Sequence, residues 1–89
     1  MSEPTRMEIV LYGRKNCKLC DEVEVSIRYL GAIYPLHLQV VDIETDPALH
    51  EEFMLVIPAV AIDGEVVFCS ISHVVTLAEL DQEFQRRGT

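Results

Sequence analysis

The segment Glu8-Ile9-Val10-Leu11-Tyr12-Gly13-Arg14-Lys15-Asn16-Cys17-Lys18-Leu19-Cys20-Asp21-Glu22-Val23 passes from a β-rich run through a short loop into a helix, and two cysteines stand where the loop becomes helical. Ile9, Val10, Leu11 and Tyr12 favour a strand and Gly13 ends it, so residues 8–12 read as the first strand. After a four-residue loop, Leu19, Val23, Ile27 and Leu30 recur at spacings of four, four and three, which aligns them on one helical face. Gly31 is the expected stop, in the left-handed conformation common at helix ends.

Further along the chain, Leu36–Asp42 is apolar at nearly every position except His37 and Gln39, a pattern that suits a second strand covered on both faces. Asp46-Pro47 announces a helix: the Asp side chain can accept from free backbone N–H groups, and Pro tolerates the first helical position. Leu49 and Phe53 lie one turn apart on its inner face. Residues 58–62 and 65–69 flank Asp63-Gly64, which permits the positive φ angles of a type I′ turn and so predicts a tight hairpin. Ser72 is the expected cap of a last helix with Val74, Leu77, Leu80 and Phe84 inward, Arg86 and Arg87 at its favourable C-terminal end and Gly88 as its stop. The order is β-α-β-α-β-β-α. Strands joined by a helix are expected to be parallel and the hairpin strands antiparallel, which gives an α/β fold of three layers around a four-stranded mixed sheet.

A chain of 89 residues has room for one small domain, here residues 7–87 with a frayed tail over 1–6. With 49% hydrophobic and 25% charged residues and only four Gly and four Pro, the composition is that of a folded globular domain. No apolar run approaches the roughly 18 residues of a membrane span, and the N-terminus lacks a secretory pattern, so a cytoplasmic location is expected. Seven Lys and Arg against fifteen Asp and Glu give a net charge of −8, the wrong sign for nucleic acid or an anionic membrane as partner. Three cysteines are an odd number, and a reducing compartment keeps unstrained thiols reduced, which points to a chemical rather than a stapling role.

Cys17 falls at the start of the first helix, where unpaired N–H groups and the helix dipole favour a thiolate. Arg14, Lys15 and Lys18 reinforce this, while Asp21 and Glu22 act in the opposite direction. Cys20, nearly one turn on, can attack a mixed disulfide formed at Cys17 and release the reduced product. Cys17 and Cys20 are therefore the candidate catalytic pair, nucleophile and resolving thiol. The same pair also suits half of a zinc site, but a tetrahedral site needs further ligands from among Cys69, His73, His37 and His50, and there is no second Cys-x-x-Cys. Cys69, at the end of an apolar strand, is expected to be buried. The three histidines have no carboxylate or cysteine partner at a recognisable spacing and read as structural. Ile57-Pro58 marks the beginning or an irregularity of the third strand, because Pro cannot donate to a ladder.

From residue 8 to residue 84 the chain resembles the thioredoxin superfamily, and within it the glutaredoxin-like branch. The resemblance rests on Cys17-Lys18-Leu19-Cys20 at the helix start, Val41-Asp42-Ile43-Glu44 at the end of the second strand, Ile57-Pro58 before the third, and the Asp63-Gly64 hairpin. It implies a thioredoxin-like fold, a cis Pro58 packed beside the cysteines, and backbone hydrogen bonds from Ile57 to an extended thiol substrate. Arg14 takes the place of a lysine that helps to receive the carboxylate of glutathione, so Arg14 and Lys18 join Ile57 and Pro58 as the expected substrate-binding residues. The chain departs from glutaredoxins in carrying Lys18-Leu19 between the cysteines, where Pro-Tyr is usual. It also lacks the Gly-Gly pair and Asp near the last helix, leaving Ser70 or Ser72 at a helix N-terminus to meet a carboxylate.

The expected activity is thiol-disulfide oxidoreduction on a protein or small-molecule disulfide, with no bound cofactor and with electrons from glutathione or a flavin-dependent thioredoxin reductase. The alternatives are a non-catalytic thioredoxin-fold binding module and a metal or iron–sulfur scaffold.

Overall fold

In the computed structural model, which describes residues 6–71 and 73–88, the chain forms β1 (Met7–Gly13), α1 (Lys18–Leu30), β2 (Leu36–Asp42), a 3₁₀ turn (Ile43–Thr45), α2 (Pro47–Phe53), β3 (Ala59–Ile62), β4 (Glu65–Phe68) and α3 (Leu77–Gly88). The four strands make one mixed sheet in the order β2-β1-β3-β4, with β1 parallel to β2 and antiparallel to β3, and β3 antiparallel to β4. Of the tail expected over residues 1–6, residues 1–5 lie outside the described residues.

Alternation along β1 sets the two faces of the sheet. Met7, Ile9 and Leu11, with Val60 and Ile62 of β3, pack against Val23, Ile27 and Leu30 of α1 and Leu80 and Phe84 of α3. Tyr12 turns to the other face, where Ile43, Phe53 and Ala59 form a smaller cluster and the Tyr12 and Phe53 rings stack 4.2 Å apart. Helices thus cover both faces, as the element order predicts. Each fully buried side chain of the larger cluster contributes about 1.5–3 kcal/mol relative to exposure.

The local signals at the turns have visible partners. Asp46 Oδ1 accepts from the Ala48 N–H at 2.9 Å, with Pro47 as first helical residue. Asp63 and Gly64 take φ of 51° and 87°, the left-handed pair that the hairpin needs. Asp63 also fastens the start of β1: its N–H donates to the Glu8 carbonyl at 2.8 Å, and its Oδ1 accepts from the Glu8 N–H at 2.9 Å.

Five expectations are corrected. β2 is an edge strand and is not covered on both faces: Leu36 and Leu38 pack on the core, His37 and Gln39 on the opposite face are exposed, and Val40, on the core face at the strand's far end, is itself 47% exposed. The inward face of α1 is Cys20, Val23, Ile27 and Leu30, and Leu19 points outward, because the helix is capped at Cys17 and its first turn brings residue 20 over β1. Gly31 is right-handed, with φ −64°, and its N–H continues the helical bonding to the Ile27 carbonyl. The last helix does not follow Ser72, which lies outside the described residues, but starts at Leu77. Its start is a reciprocal capping box, Thr76 Oγ1 accepting from the Glu79 N–H and Glu79 Oε1 accepting from the Thr76 N–H. Leu80 and Phe84 are buried as expected, whereas Leu77 is exposed.

Further along α3, the Arg87 and Arg86 guanidiniums hold the Glu83 carboxyl below its usual range. A depressed carboxylate contributes stability that is present above the unfolded value and is lost as pH falls through the folded one. Glu83→Gln should therefore cost on the order of 1 kcal/mol near neutral pH, and the gap to the parent should close as the medium is acidified below about pH 4. Urea midpoints at pH 7 and pH 3 check this; a gap of equal size at both values contradicts it.

Candidate functional site

The cysteines stand at the junction that β1 and α1 create. Asn16 takes φ 60°, a left-handed conformation that Asn tolerates better than most residues, and it turns the chain from the loop into the helix. Cys17 is then the N-cap residue, extended at φ −105° and ψ 102°, and its Sγ accepts from the Cys20 N–H at 3.2 Å. Cys17 and Cys20 are bonded to each other as a disulfide, their Cα atoms 5.2 Å apart. Cys17 is half-exposed and Cys20 is 5% exposed, so an incoming reagent meets Cys17 first.

Gly13 is what lets Cys20 come so close to the sheet. A Cβ at this position would lie 3.0 Å from Cys20 Sγ and 3.1 Å from Cys20 Cβ. Sequence reading saw Gly13 only as the end of a strand. Its signal, a glycine ahead of a Cys-x-x-Cys helix, is intelligible only once the helix is known to lie against it.

Ala59 pairs with Tyr12, which puts Ile57-Pro58 at the same end of the sheet as Gly13 and the cysteine loop. The Ile57–Pro58 peptide bond is cis, Pro58 is buried and Ile57 is half-exposed. Ser70 braces this loop twice: its N–H donates to the Val56 carbonyl at 3.0 Å and its hydroxyl to the Pro58 carbonyl at 2.7 Å. Ile57, between the two braced carbonyls, enters no such bond among the described residues. Ser70 is thus not at a helix N-terminus, where sequence reading put it, but is a strut of the proline loop. Ser70→Ala leaves the Pro58 carbonyl without its partner and should cost about 1–2 kcal/mol. The expected readout is a lower urea midpoint; an unchanged midpoint contradicts the bracing role.

Cys69 is exposed, not buried, because the β4 ladder ends at Phe68 and leaves the next side chain outside the sheet. His73 Nε2 lies 3.1 Å from the Glu79 carboxylate and His37 Nδ1 3.4 Å from Glu8, so two histidines have carboxylate partners that their spacing did not reveal. Both pairs are on the surface, and neither histidine belongs to the cysteine site. Among the described residues there is no group of three or more His, Cys, Asp or Glu arranged to hold a metal.

Behind the pair, a cavity of about 210 Å³ opens on Cys20, floored by Leu11, Gly13, Val40 and Val41 and rimmed by Arg14, Lys15, Asp21, Glu24 and Asp42. Arg14, Lys15 and Lys18 are all exposed, and none forms an ion pair among the described residues. The structure therefore gathers Cys17, Cys20, Arg14 and Lys18 around the start of α1, with Ile57 and Pro58 at the same end of the sheet. No helix of the described residues is long and apolar enough to cross a membrane.

The family model described as Glutaredoxin-like domain (DUF836) matches residues 8–85. Protein Ne2328 from Nitrosomonas europaea superposes with a TM-score of 0.75 at 19% identity, covering 94% of this chain and 98% of its own. A thioredoxin-2 described as a component of the malaria parasite protein secretion machinery gives a TM-score of 0.68 at 16% identity, covering 91% of this chain and 82% of its own. A mutant thioredoxin from Halobacterium salinarum gives 0.71 at 15% identity, covering 93% of this chain and 75% of its own. At such identities the likeness is one of fold, and the fold is thioredoxin-like. Among curated proteins none matches the chain.

Proposed function

Because the chain belongs to the glutaredoxin-like domain family, we propose that it is a thiol-disulfide oxidoreductase in which Cys17 is the nucleophile and Cys20 the resolving thiol. The observation that carries this reading is the asymmetry of the pair: a half-exposed Cys17 at a helix N-cap, hydrogen-bonded through its sulfur, beside a buried Cys20 within bonding distance.

In the reductive direction the Cys17 thiolate attacks one sulfur of a substrate disulfide. The substrate S–S bond breaks, and its second sulfur leaves as a thiolate that takes up a proton. Cys20, losing its proton, then attacks Cys17 Sγ, which releases the first substrate sulfur and leaves the Cys17–Cys20 disulfide. Two electrons pass from the protein dithiol to the substrate, and two protons follow them. Glutathione or a thioredoxin reductase returns the dithiol.

The substrate is a disulfide within a polypeptide. Large apolar side chains are exposed on each segment around the pair: Leu19 between the cysteines, Leu55 at 83% exposure ahead of the proline loop, and Ile71 at 81% after Ser70. Ile57, with its backbone outside the bracing bonds, is the position at which an extended segment can hydrogen-bond. The reaction takes place in the cytoplasm, where a reducing pool maintains the dithiol.

The test is stoichiometric. Pre-reduced protein, freed of reductant, should reduce one disulfide per chain in a model peptide, with Cys17 and Cys20 recovered as a disulfide in peptide maps. Failure to reduce the peptide, or a product disulfide that does not join these two residues, contradicts the reading.

A further inference from the structure

The charges of this protein are unevenly partnered. Arg6 pairs with Glu8, Arg28 with Glu24, Arg86 with Glu83, and Arg87 with Glu83 and Glu65. The remaining three of the seven cations are Arg14, Lys15 and Lys18, which make no ion pair among the described residues, and they lie together around Cys17. Among the described residues, a chain with fifteen carboxylates and net charge −8 thus keeps its unpaired Lys and Arg side chains in one place, around Cys17.

Asp21 and Glu22 are exposed on the next turn of α1, and Glu24 and Asp42 complete the acidic groups near the cavity. One of these four is ion-paired, Glu24 with Arg28 at 2.9 Å; Asp42 Oδ1 accepts from the Glu44 N–H, which fixes its carboxylate toward its own turn and leaves its charge in place. The cations are not drawn to Asp21 or Glu22 closely enough to pair, so they remain available to a ligand. The cavity that Arg14 and Lys15 help to line, about 210 Å³, falls below the roughly 300–1,000 Å³ of small-molecule sites. Its apolar floor suits a single side chain of a larger partner.

We propose that Arg14, Lys15 and Lys18 form the docking surface for an acidic segment that flanks the disulfide of a partner protein, and so select which disulfides reach Cys17. The inference rests on the dithiol reading and adds the class of substrate. Asp or Glu side chains beside the partner's disulfide meet the three cations, and an apolar neighbour enters the cavity behind Cys20. The sulfur chemistry is unchanged: the partner's S–S bond is reduced by two electrons as the Cys17–Cys20 dithiol is oxidised. Exposed charges act mainly on the rate of encounter, and their influence fades as salt shortens the screening length.

The overall field of the protein predicts the opposite preference, since a chain of net charge −8 should attract a basic peptide. The sign of the preference is therefore the test. Two peptides of equal length, each closed by one disulfide and flanked by either Glu or Lys, are reduced by the pre-reduced full chain carrying Cys69→Ser, and the second-order rates are compared. At about 10 mM salt the Glu-flanked peptide should react about tenfold faster or more, and the ratio should fall toward one at about 0.5 M salt. Replacing all three cations, as R14Q/K15Q/K18Q, should remove the preference. The ratio is read because any change in the Cys17 thiolate affects both peptides alike.

Equal rates at low salt, or a faster Lys-flanked peptide, overturn the docking surface and leave the dithiol reading standing. Reduction of neither peptide overturns both. A dependence on the three cations that is found with glutathione disulfide and not with the peptides overturns the assignment in favour of a small anionic disulfide.

Discussion

Cys17→Ser should reduce disulfide reduction to background, a loss on the order of 10³-fold or greater as expected for removal of a nucleophile, while Cys20→Ser should stop the reaction midway. The difference follows from position. Cys17 is the half-exposed cap whose sulfur accepts from the Cys20 N–H, and serine at this place keeps the cap but supplies no thiolate. Cys20 is buried against Gly13, where it cannot meet an external disulfide but can reach Cys17. With Cys20 removed, the mixed disulfide at Cys17 has no internal thiol to resolve it and should persist, visible as an adduct carrying the mass of one substrate half. Exposed Cys69 can form adducts of its own, so both variants are compared in a Cys69→Ser background. A Cys17→Ser protein that keeps its reductase activity, or an adduct that maps to another residue, contradicts the assigned roles.

The second large effect is expected at a residue with no functional group. Gly13→Val places methyl groups where even a Cβ would lie 3.0 Å from Cys20 Sγ. The atoms in the way are the short Cys20 side chain, fixed to the first turn of α1, so relief requires the turn itself to move off β1. Overpacking of this kind costs about 1–3 kcal/mol. For a domain of this size that should lower the melting temperature by roughly 5–20 °C. The same movement displaces Cys20 relative to Cys17, so resolution of a mixed disulfide should slow even in protein that is still folded. Gly13→Ala should show both effects at smaller size. Calorimetry gives the first and the decay of a mixed disulfide the second; a Val variant as stable and as quick as the parent contradicts the close-packed junction.

Much of this arrangement is legible in the sequence because the deciding signals are local. The Asp63-Gly64 turn, the Asp46-Pro47 cap and the cysteine pair at a helix start are each written in a few adjacent residues, and the structure shows the bonds they imply. The errors arise where burial depends on a neighbour distant in sequence. Val40 belongs to an apolar run, yet β2 is at the edge of the sheet, which no reading of residues 36–42 alone can reveal. Leu19 fits the helical spacing as well as Cys20 does, and only the approach of α1 to Gly13 decides between them. The start of α3 differs for another reason: Ser72 and Thr76 are both cap-type residues, and only Thr76 has a Glu three residues on to complete the capping box. At the site, Ser70 has two partners in the proline loop, twelve and fourteen residues earlier in the chain, which its own neighbours do not foretell.

The acidic composition and the free cations at Cys17 are related in the same way. Counting charges gives a chain that should repel carboxylates; pairing them in space leaves Arg14, Lys15 and Lys18, beside Cys17, as the cations without an ion pair among the described residues.

Whether Cys17 and Cys20 are a working redox pair is decided by equilibrating the protein in glutathione buffers of graded potential and reading both thiols by mass spectrometry after acid trapping. One two-electron transition is expected, in which the two cysteines change together, at a potential within the range of known dithiol oxidoreductases, roughly −180 to −270 mV. Cysteines that stay reduced, or stay joined, across the whole series would contradict it.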